Sequence, residues 1–321
     1  MTDTAKTTQV RLIEVDPEYA GQRIDNFLLT LLKGVPRSLI YRILRKGEVR
    51  VNKGRIKPVY RLQAGDMVRI PPVKLPVAET PPKPARSVLE TVEQGILYED
   101  DRLLVLNKPS GLAVHGGSGI HYGAIEALRI LRPQAKRLEL VHRLDRDTSG
   151  CLLITKRGSS LRSLHEQFRD NRVQKIYLAL LKGRWQGGQR IVDAPLKKNT
   201  LQGGERMVRV DREGKDAISI FTPLAVMDEA SLVQVELKTG RTHQIRVHAQ
   251  HIGHPLAGDN KYGDEAFNRQ LRAMGLKRLF LHAKRLCFEF PPENKRGCIS
   301  ATLDKELEKV LTNLGIDSDA I

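Results

Sequence analysis

Six prolines between positions 71 and 84, at 71, 72, 76, 81, 82 and 84, constrain this chain more than any other stretch. Proline lacks an amide hydrogen and fixes φ, so the segment cannot be helix or inner strand and reads as an extended, semi-stiff tether. Two bodies are therefore expected. They are a small domain over 19–80, preceded by a polar tail over 1–18, and a large domain over 89–321, joined by a proline-rich linker over 71–88.

Before the tether, Ile24, Phe27, Leu28, Leu31 and Leu32 recur with helical spacing and stop at Gly34. A second helix is expected from Pro36 and Ser38, with Leu39, Ile40, Ile43 and Leu44 as its apolar side and Gly47 as its stop. Val49 to Val51 and Val68 to Ile70 alternate like short strands. Between Lys33 and Arg61 this small α/β unit carries ten cations against one anion, Glu48, a density that would repel itself without a counter-charge. The whole chain has 54 Lys and Arg against 37 Asp and Glu, a formal charge of +17. Nucleic acid is favoured over an anionic membrane, because no long apolar or basic amphipathic segment accompanies the charge. Arg37, Arg42, Arg45, Lys46, Arg50, Lys53, Arg55 and Lys57 are the candidate RNA contacts.

Beyond the tether, Ile96–Tyr98 and Leu103–Leu106 flank a charged turn and read as a hairpin. Strands are expected at Cys151–Thr155, Ile176–Leu181, Leu232–Leu237, Phe280–His282 and Leu286–Phe290, and helices at Ala124–Leu131, Ser160–Phe168, His243–Ile252 and Leu303–Leu314. This interleaving predicts an α+β fold with a mixed, largely antiparallel sheet. Cys151, Cys287 and Cys298 form no CxxC pair, so neither a disulfide framework nor a thiolate metal site is expected, and a reducing cytoplasm fits. No leader or membrane span is read from the sequence.

The richest stretch chemically is Val141-His142-Arg143-Leu144-Asp145-Arg146-Asp147-Thr148-Ser149-Gly150, two carboxylates and two guanidiniums in a turn before an apolar strand. Nearby guanidiniums favour an ionised carboxylate, which can serve as a nucleophile. On spacing alone a surface ion-pair turn is the better explanation. Nucleotide-loop and zinc-protease motifs are absent from the sequence. His115 to Gly119 could cradle a phosphate but reads better as a connection, and the cluster His243, His248, His251 and His254 lacks the partners of a known metal pattern.

Together, His142-Arg143-Leu144-Asp145 with Thr148-Ser149-Gly150, the Asn107-Lys108-Pro109-Ser110-Gly111 loop, Lys175 to Ala179 and Gly240 to His248 resemble the motifs of the RluA family of pseudouridine synthases. The Gly21 to Ile70 unit resembles an S4 RNA-binding domain. The resemblance implies isomerisation of uridine to pseudouridine in RNA, without cofactor or metal, with Asp145 as the catalytic carboxylate. Arg246 would pair with it, Tyr177 would lie against the base, and Arg143 would fill the gap left by an extruded base, with His142 in support. Asp147 falls at a variable position of the motif and is assigned a structural role. Finer likenesses, such as Val114 to Gly119 and Ser163 to Gln167, point within the family to members that act on 23S ribosomal RNA. No obligate protein partner is indicated and a monomer is expected. The alternatives are a non-catalytic S4-type RNA-binding or assembly factor, and a related synthase with another rRNA or tRNA target.

Overall fold

The computed structural model describes residues 9–32, 34–73, 84–117, 120–135, 137–200 and 206–317. Two units emerge, Met1–Lys83 and Pro84–Ile321. Residues 74–83 of the expected tether, Lys33, and Ser118 with Gly119 of the glycine-rich loop lie outside the described residues.

In the first unit the elements are β1 (Arg11–Glu14), α1 (Ile24–Leu31), α2 (Arg37–Arg45), β2 (Arg50–Val51), β3 (Gly54–Arg55) and β4 (Met67–Ile70). The apolar stripes do what their spacing predicts: Ile24, Phe27 and Leu28 of α1 and Ile40, Ile43 and Leu44 of α2 are buried in one core with Val51 and Val68. Asp25, also buried, is neutralised by Arg23 at 2.6 Å and accepts a 2.9 Å hydrogen bond from the Tyr41 hydroxyl, which fastens α1 to α2. The four strands lie in the order β1-β4-β2-β3. Within the expected tail, residues 11–14 are in fact a strand paired along β4. Its side chains are mostly exposed, so the sequence showed no apolar face; backbone pairing holds it.

The second unit begins with α3 (Arg86–Gln94), whose first three residues fall in the span expected as linker. Its elements continue as β5 (Ile96–Glu99), β6 (Leu103–Lys108), α4 (Ala124–Leu131), β7 (Glu139–Leu140), β8 (Ser149–Thr155), α5 (Gly158–Arg169), β9 (Gln174–Lys182), β10 (Arg190–Asp193), β11 (Leu196–Thr200), β12 (Arg206–Val210), β13 (Ile218–Val226), β14 (Ala230–Leu237), α6 (Gln244–His251), α7 (Glu265–Ala273), β15 (Leu281–Phe290), β16 (Lys295–Ser300) and α8 (Lys305–Asn313). Ten strands form one sheet with the main order β10-β13-β14-β9-β15-β8-β6-β5, in which β7 pairs with β8 and β16 with β15. It is α+β and largely antiparallel, as the interleaved pattern predicts. The parallel step is β15 against β8, where His282 faces Ser149 and Ala283 faces Gly150.

That step requires glycine. Gly150 has φ +105°, and a Cβ there would stand 2.3 Å from the Ala283 carbonyl oxygen. The central strands β8 and β9 are buried along nearly their whole length, so they read as continuous apolar runs. The strands expected separately at Phe280–His282 and Leu286–Phe290 are, but for Phe280, one strand, β15, whose pairing with β9 shifts register between His282 and Arg285.

The cysteine expectation needs correction. Cys287 and Cys298 are joined in a disulfide across the β15–β16 hairpin, whose register sets them directly opposite with Cα atoms 4.0 Å apart. Sequence spacing gave no view of that register. Cys151 is free and buried, and burial pushes its thiol up to about 12.

Candidate active site

The loop from His142 to Thr148 leaves the sheet where β8 meets β15, and polar groups fix its underside. Lys108, fully buried at the end of β6, donates through Nζ to the carbonyls of Pro109 and Leu112 at 2.8 Å and Arg146 at 3.0 Å, tying the Asn107–Gly111 loop to the Asp145 loop. Burial, helped by the Arg278 charge, lowers its ammonium to about 7. Ser149 Oγ accepts from Arg278 Nη2 at 2.6 Å and lies 2.8 Å from His282 Nδ1; Arg278 also pairs with Asp304. With its lone pair facing Arg278, the Ser149 hydroxyl donates to His282. Nε2 of that ring is then left to donate to the Ala301 carbonyl at 3.3 Å.

His142 is part of this support. Its Nε2 accepts from the Leu153 amide at 3.0 Å and its ring stacks on Phe168 at 5.3 Å between centroids. Burial first, then the Lys175 charge, lowers the imidazole to about 4, so the ring is neutral at pH 7. Arg143 is exposed on the cavity side, and Arg146 Nε pairs with Asp147 at 3.2 Å on the surface instead of facing Asp145. Among the described residues neither neighbouring guanidinium pairs with Asp145, so the counter-charge that the nucleophile reading looked for nearby comes from elsewhere.

Asp145 and Tyr177 line a cavity of about 1070 Å³, and a smaller recess of about 90 Å³ is bounded by Asp145, Tyr177, Arg246 and Leu281. Residues quoted from three distant motifs thus converge. The Arg246 Nη1 lies 3.6 Å from Asp145 Oδ2, and His243 Nε2 lies 3.9 Å from the same oxygen. Tyr177 comes from β9; burial, and then the Asp145 charge, raises its hydroxyl and keeps it protonated.

Sequence reasoning missed what orients Arg246. Asp259, fully buried, takes two 2.7 Å hydrogen bonds from Arg246 Nε and Nη2, leaving Nη1 for Asp145. Burial opposes the Asp259 charge, but the Arg246 bonds outweigh it and leave the carboxyl below its usual range. The guanidinium lies 5.0 Å from the ring centre of Tyr262. The Tyr262 hydroxyl accepts from the Val208 amide at 3.0 Å and reaches His243 Nδ1 at 2.8 Å. His243 itself sits at φ +54° as the residue before α6, a left-handed conformation uncommon for histidine. Gln244 holds that turn by accepting from Arg241 N and Thr239 Oγ1 and donating to Ile218 O and Ser219 Oγ. A positive-φ histidine cannot be recognised without coordinates, and Asp259 carries no periodic signal.

The four histidines do not converge. His248 is buried between Ser219 and the Ala194 carbonyl, His254 bonds the Lys182 carbonyl beside Trp185, and only His243 reaches the cavity. Among the described residues no cluster of histidine, cysteine and carboxylate could hold a metal. In the glycine-rich loop the described glycine amides are taken within the chain: Gly116 N donates to Glu126 Oε2 at 3.0 Å, which also accepts from Gly123 N beyond the loop at 2.8 Å, and Gly117 N donates to the Ile120 carbonyl at 2.7 Å.

On the first unit, all eight candidate RNA contacts, Arg37, Arg42, Arg45, Lys46, Arg50, Lys53, Arg55 and Lys57, are exposed on α2 and the β2–β3 hairpin with their flanks. Among the described residues none of them pairs with a carboxylate. No described helix is long and apolar enough to cross a membrane.

A unit with eight exposed cations free of carboxylate partners and an aspartate–arginine cavity beside the parallel step of a mixed sheet fit an RNA-modifying enzyme. The chain belongs to the RNA pseudouridylate synthase family, whose model matches residues 102–251, and it carries an S4 domain matched over residues 22–68. It is 57% identical over 303 residues to the ribosomal large subunit pseudouridine synthase C of Pasteurella multocida, covering 94% of this chain and 93% of that protein. To the enzyme of the same name from Escherichia coli K12 it is 56% identical, over 96% and 98% of the two chains. Among solved structures, human RNA pseudouridylate synthase domain containing 4 matches with a TM-score of 0.60 and 27% identity, over 72% of this chain and 97% of that one.

Proposed function

We propose that the protein converts specific uridines of large-subunit (23S) ribosomal RNA to pseudouridine, with Asp145 as the catalytic carboxylate. The observation that carries this is the Asp145 carboxylate at the cavity wall, 3.6 Å from an Arg246 that is itself locked by Asp259. The names of the relatives support the ribosomal target.

The reaction breaks the N1–C1′ bond, turns the uracil, forms C5–C1′, and moves one proton from C5 to N1. No electron is transferred, so the proposal assigns no cofactor. A carboxylate serves it by adding to C1′, by adding to C6, or by taking the C2′ proton, and each route needs the ionised form beside the ring. Arg246 stabilises that form and fixes its direction. Tyr177, protonated and against the same recess, supplies an apolar ring face to the uracil and a hydroxyl that can hand a proton on. Its cavity opens to solvent, so the target base enters extruded from its stack, and exposed Arg143 stands at the mouth to fill the vacated place. The eight S4-unit cations grip backbone phosphates.

In this reading the protein acts in the cytoplasm as a monomer with no obligate protein partner. Pseudouridine mapping on unmodified large-subunit rRNA, incubated with the purified protein or with Asp145→Asn, tests it. New sites made by the wild type alone are expected; a protein that binds the RNA and makes none would be the non-catalytic binder, and modification confined to a transfer RNA or another rRNA site would move the target.

A further inference from the structure

Drug-sized ligands fill roughly 300–1000 Å³, so a cavity of about 1070 Å³ has room for more than one target nucleoside. Away from Asp145, its wall is made by the end of α5 and the start of β9, with Phe168, Arg169, Asn171 and Lys175. Lys175 and Tyr177 are two positions apart on one strand, so both side chains leave the same face, about 6.6–7 Å apart along it. A base lying against Tyr177 therefore brings its own sugar-phosphate backbone past Lys175.

Lys175 is 8% exposed, and among the described residues it has no carboxylate and no hydrogen-bond acceptor. Its neighbour is the Phe168 ring, whose centroid is 5.8 Å from Nζ. The nearby acid, Glu236, is taken by Lys238 at 2.5 Å. Burial, with the Lys238 charge adding and the Glu236 charge opposing, lowers the Lys175 ammonium from its ordinary value. Arg169, exposed at the last turn of α5, also lacks a partner among the described residues. The stem is buried, but Nζ keeps accessible surface, since Ser160 Oγ alone is a buried side-chain polar atom without a partner among the described residues. An anion arriving with the substrate can therefore reach it.

We propose that Lys175, with Arg169 beside it, is a subsite for a backbone phosphate of the RNA strand next to the target uridine. The inference rests on the RNA-modifying reading and adds to it a place where the strand, as distinct from the base, is held.

The test uses the full-length protein and a short single-stranded RNA carrying the target, in which one phosphate at a time is replaced by an uncharged methylphosphonate. Binding is followed by fluorescence anisotropy at several salt concentrations, and turnover by single-turnover kinetics. With the wild type, one linkage near the target should weaken binding about tenfold, the scale of a charge-assisted hydrogen bond. Lys175→Met should bind unmodified RNA about tenfold more weakly and be indifferent to that linkage, and its log K against log salt should flatten by about 0.7, one phosphate for a single strand. The RNA concentration for half-maximal rate should rise far more than the saturating rate falls. A wild type indifferent to every linkage near the target would overturn the proposal. So would a Lys175→Met protein with an unchanged salt slope and an undiminished response to the linkage, or one with normal binding and a collapsed saturating rate, which would place Lys175 in the chemistry. Failure of the uridine reading shows separately, as absence of pseudouridine with the wild type.

Discussion

Arg246 holds Asp259 with two 2.7 Å hydrogen bonds and reaches Asp145 only at 3.6 Å. The arginine of this site is thus anchored by one carboxylate and offered to another. The division of labour has a consequence for orientation: in the proposed mechanism Asp145 is left free to move onto substrate while its counter-charge stays still.

Asp259→Asn should therefore lower the single-turnover rate while RNA affinity barely changes. Misplacing a catalytic group by about 1 Å costs on the order of 10²-fold, and losing one partner of a buried pair costs about 3–5 kcal/mol of stability. Rate, anisotropy and urea midpoint on one preparation would check this, and loss of affinity with normal rate would contradict it.

Asp145→Asn should abolish turnover with folding and RNA binding retained. Asp147→Asn should keep most of the activity, because Asp147 pairs with Arg146 on the surface at 3.2 Å, and such pairs contribute about 0–1 kcal/mol. Pseudouridine formation by the two variants, side by side, decides between the carboxylates.

Lys108→Met should destabilise the second unit by about 2 kcal/mol or more, since the part-buried Pro109 and Leu112 carbonyls lose a donor and the Arg146 carbonyl is left with the Gly111 amide alone. It should also slow turnover, because the Arg146 carbonyl anchors the Asp145 loop. A stable variant with normal rate would show that the loops hold each other without this ammonium.

Acid should weaken the fold between about pH 6.5 and 4. His142 and His282 are each lowered to about 4 by burial, so in that interval the unfolded chain binds protons that the folded chain refuses. Stability then falls with falling pH by up to about 1.4 kcal/mol per unit for each histidine. Urea unfolding of His282→Gln should show a shallower acid slope than the wild type; parallel slopes would refute this.

Arg143→Ala should slow modification of a structured rRNA fragment much more than that of a short unstructured oligonucleotide. Extruding a stacked base costs a few kcal/mol and less when it is already unstacked, and a side chain that fills the gap offsets only the first. Equal losses in single-turnover rate on both would put Arg143 at the chemistry or on a phosphate.

The elements that carried a period were legible from sequence: the stripes of α1 and α2, the continuous runs of β8 and β9, and the hairpin of β5 and β6. So was the convergence of Asp145, Tyr177 and Arg246 on one cavity, through motifs spread over some hundred residues. What escaped lacks local pattern. β1 is mostly exposed and held by its partner's backbone, α7 buries only Phe267, Asn268 and Leu271, and the Cys287–Cys298 bond depends on hairpin register. Asp259 comes from a loop whose approach to Arg246 is set by the tertiary fold.

The close approach of Gly150 to Ala283 bears on how such a site could be moved to another scaffold. The turn carrying Asp145 takes its position from two main chains touching, with no side chain between them to trim or enlarge. A graft of the ten-residue motif alone would carry the proposed catalytic carboxylate and lose its aim. The smallest portable piece is three strands, β6, β8 and β15, the first of them carrying Lys108.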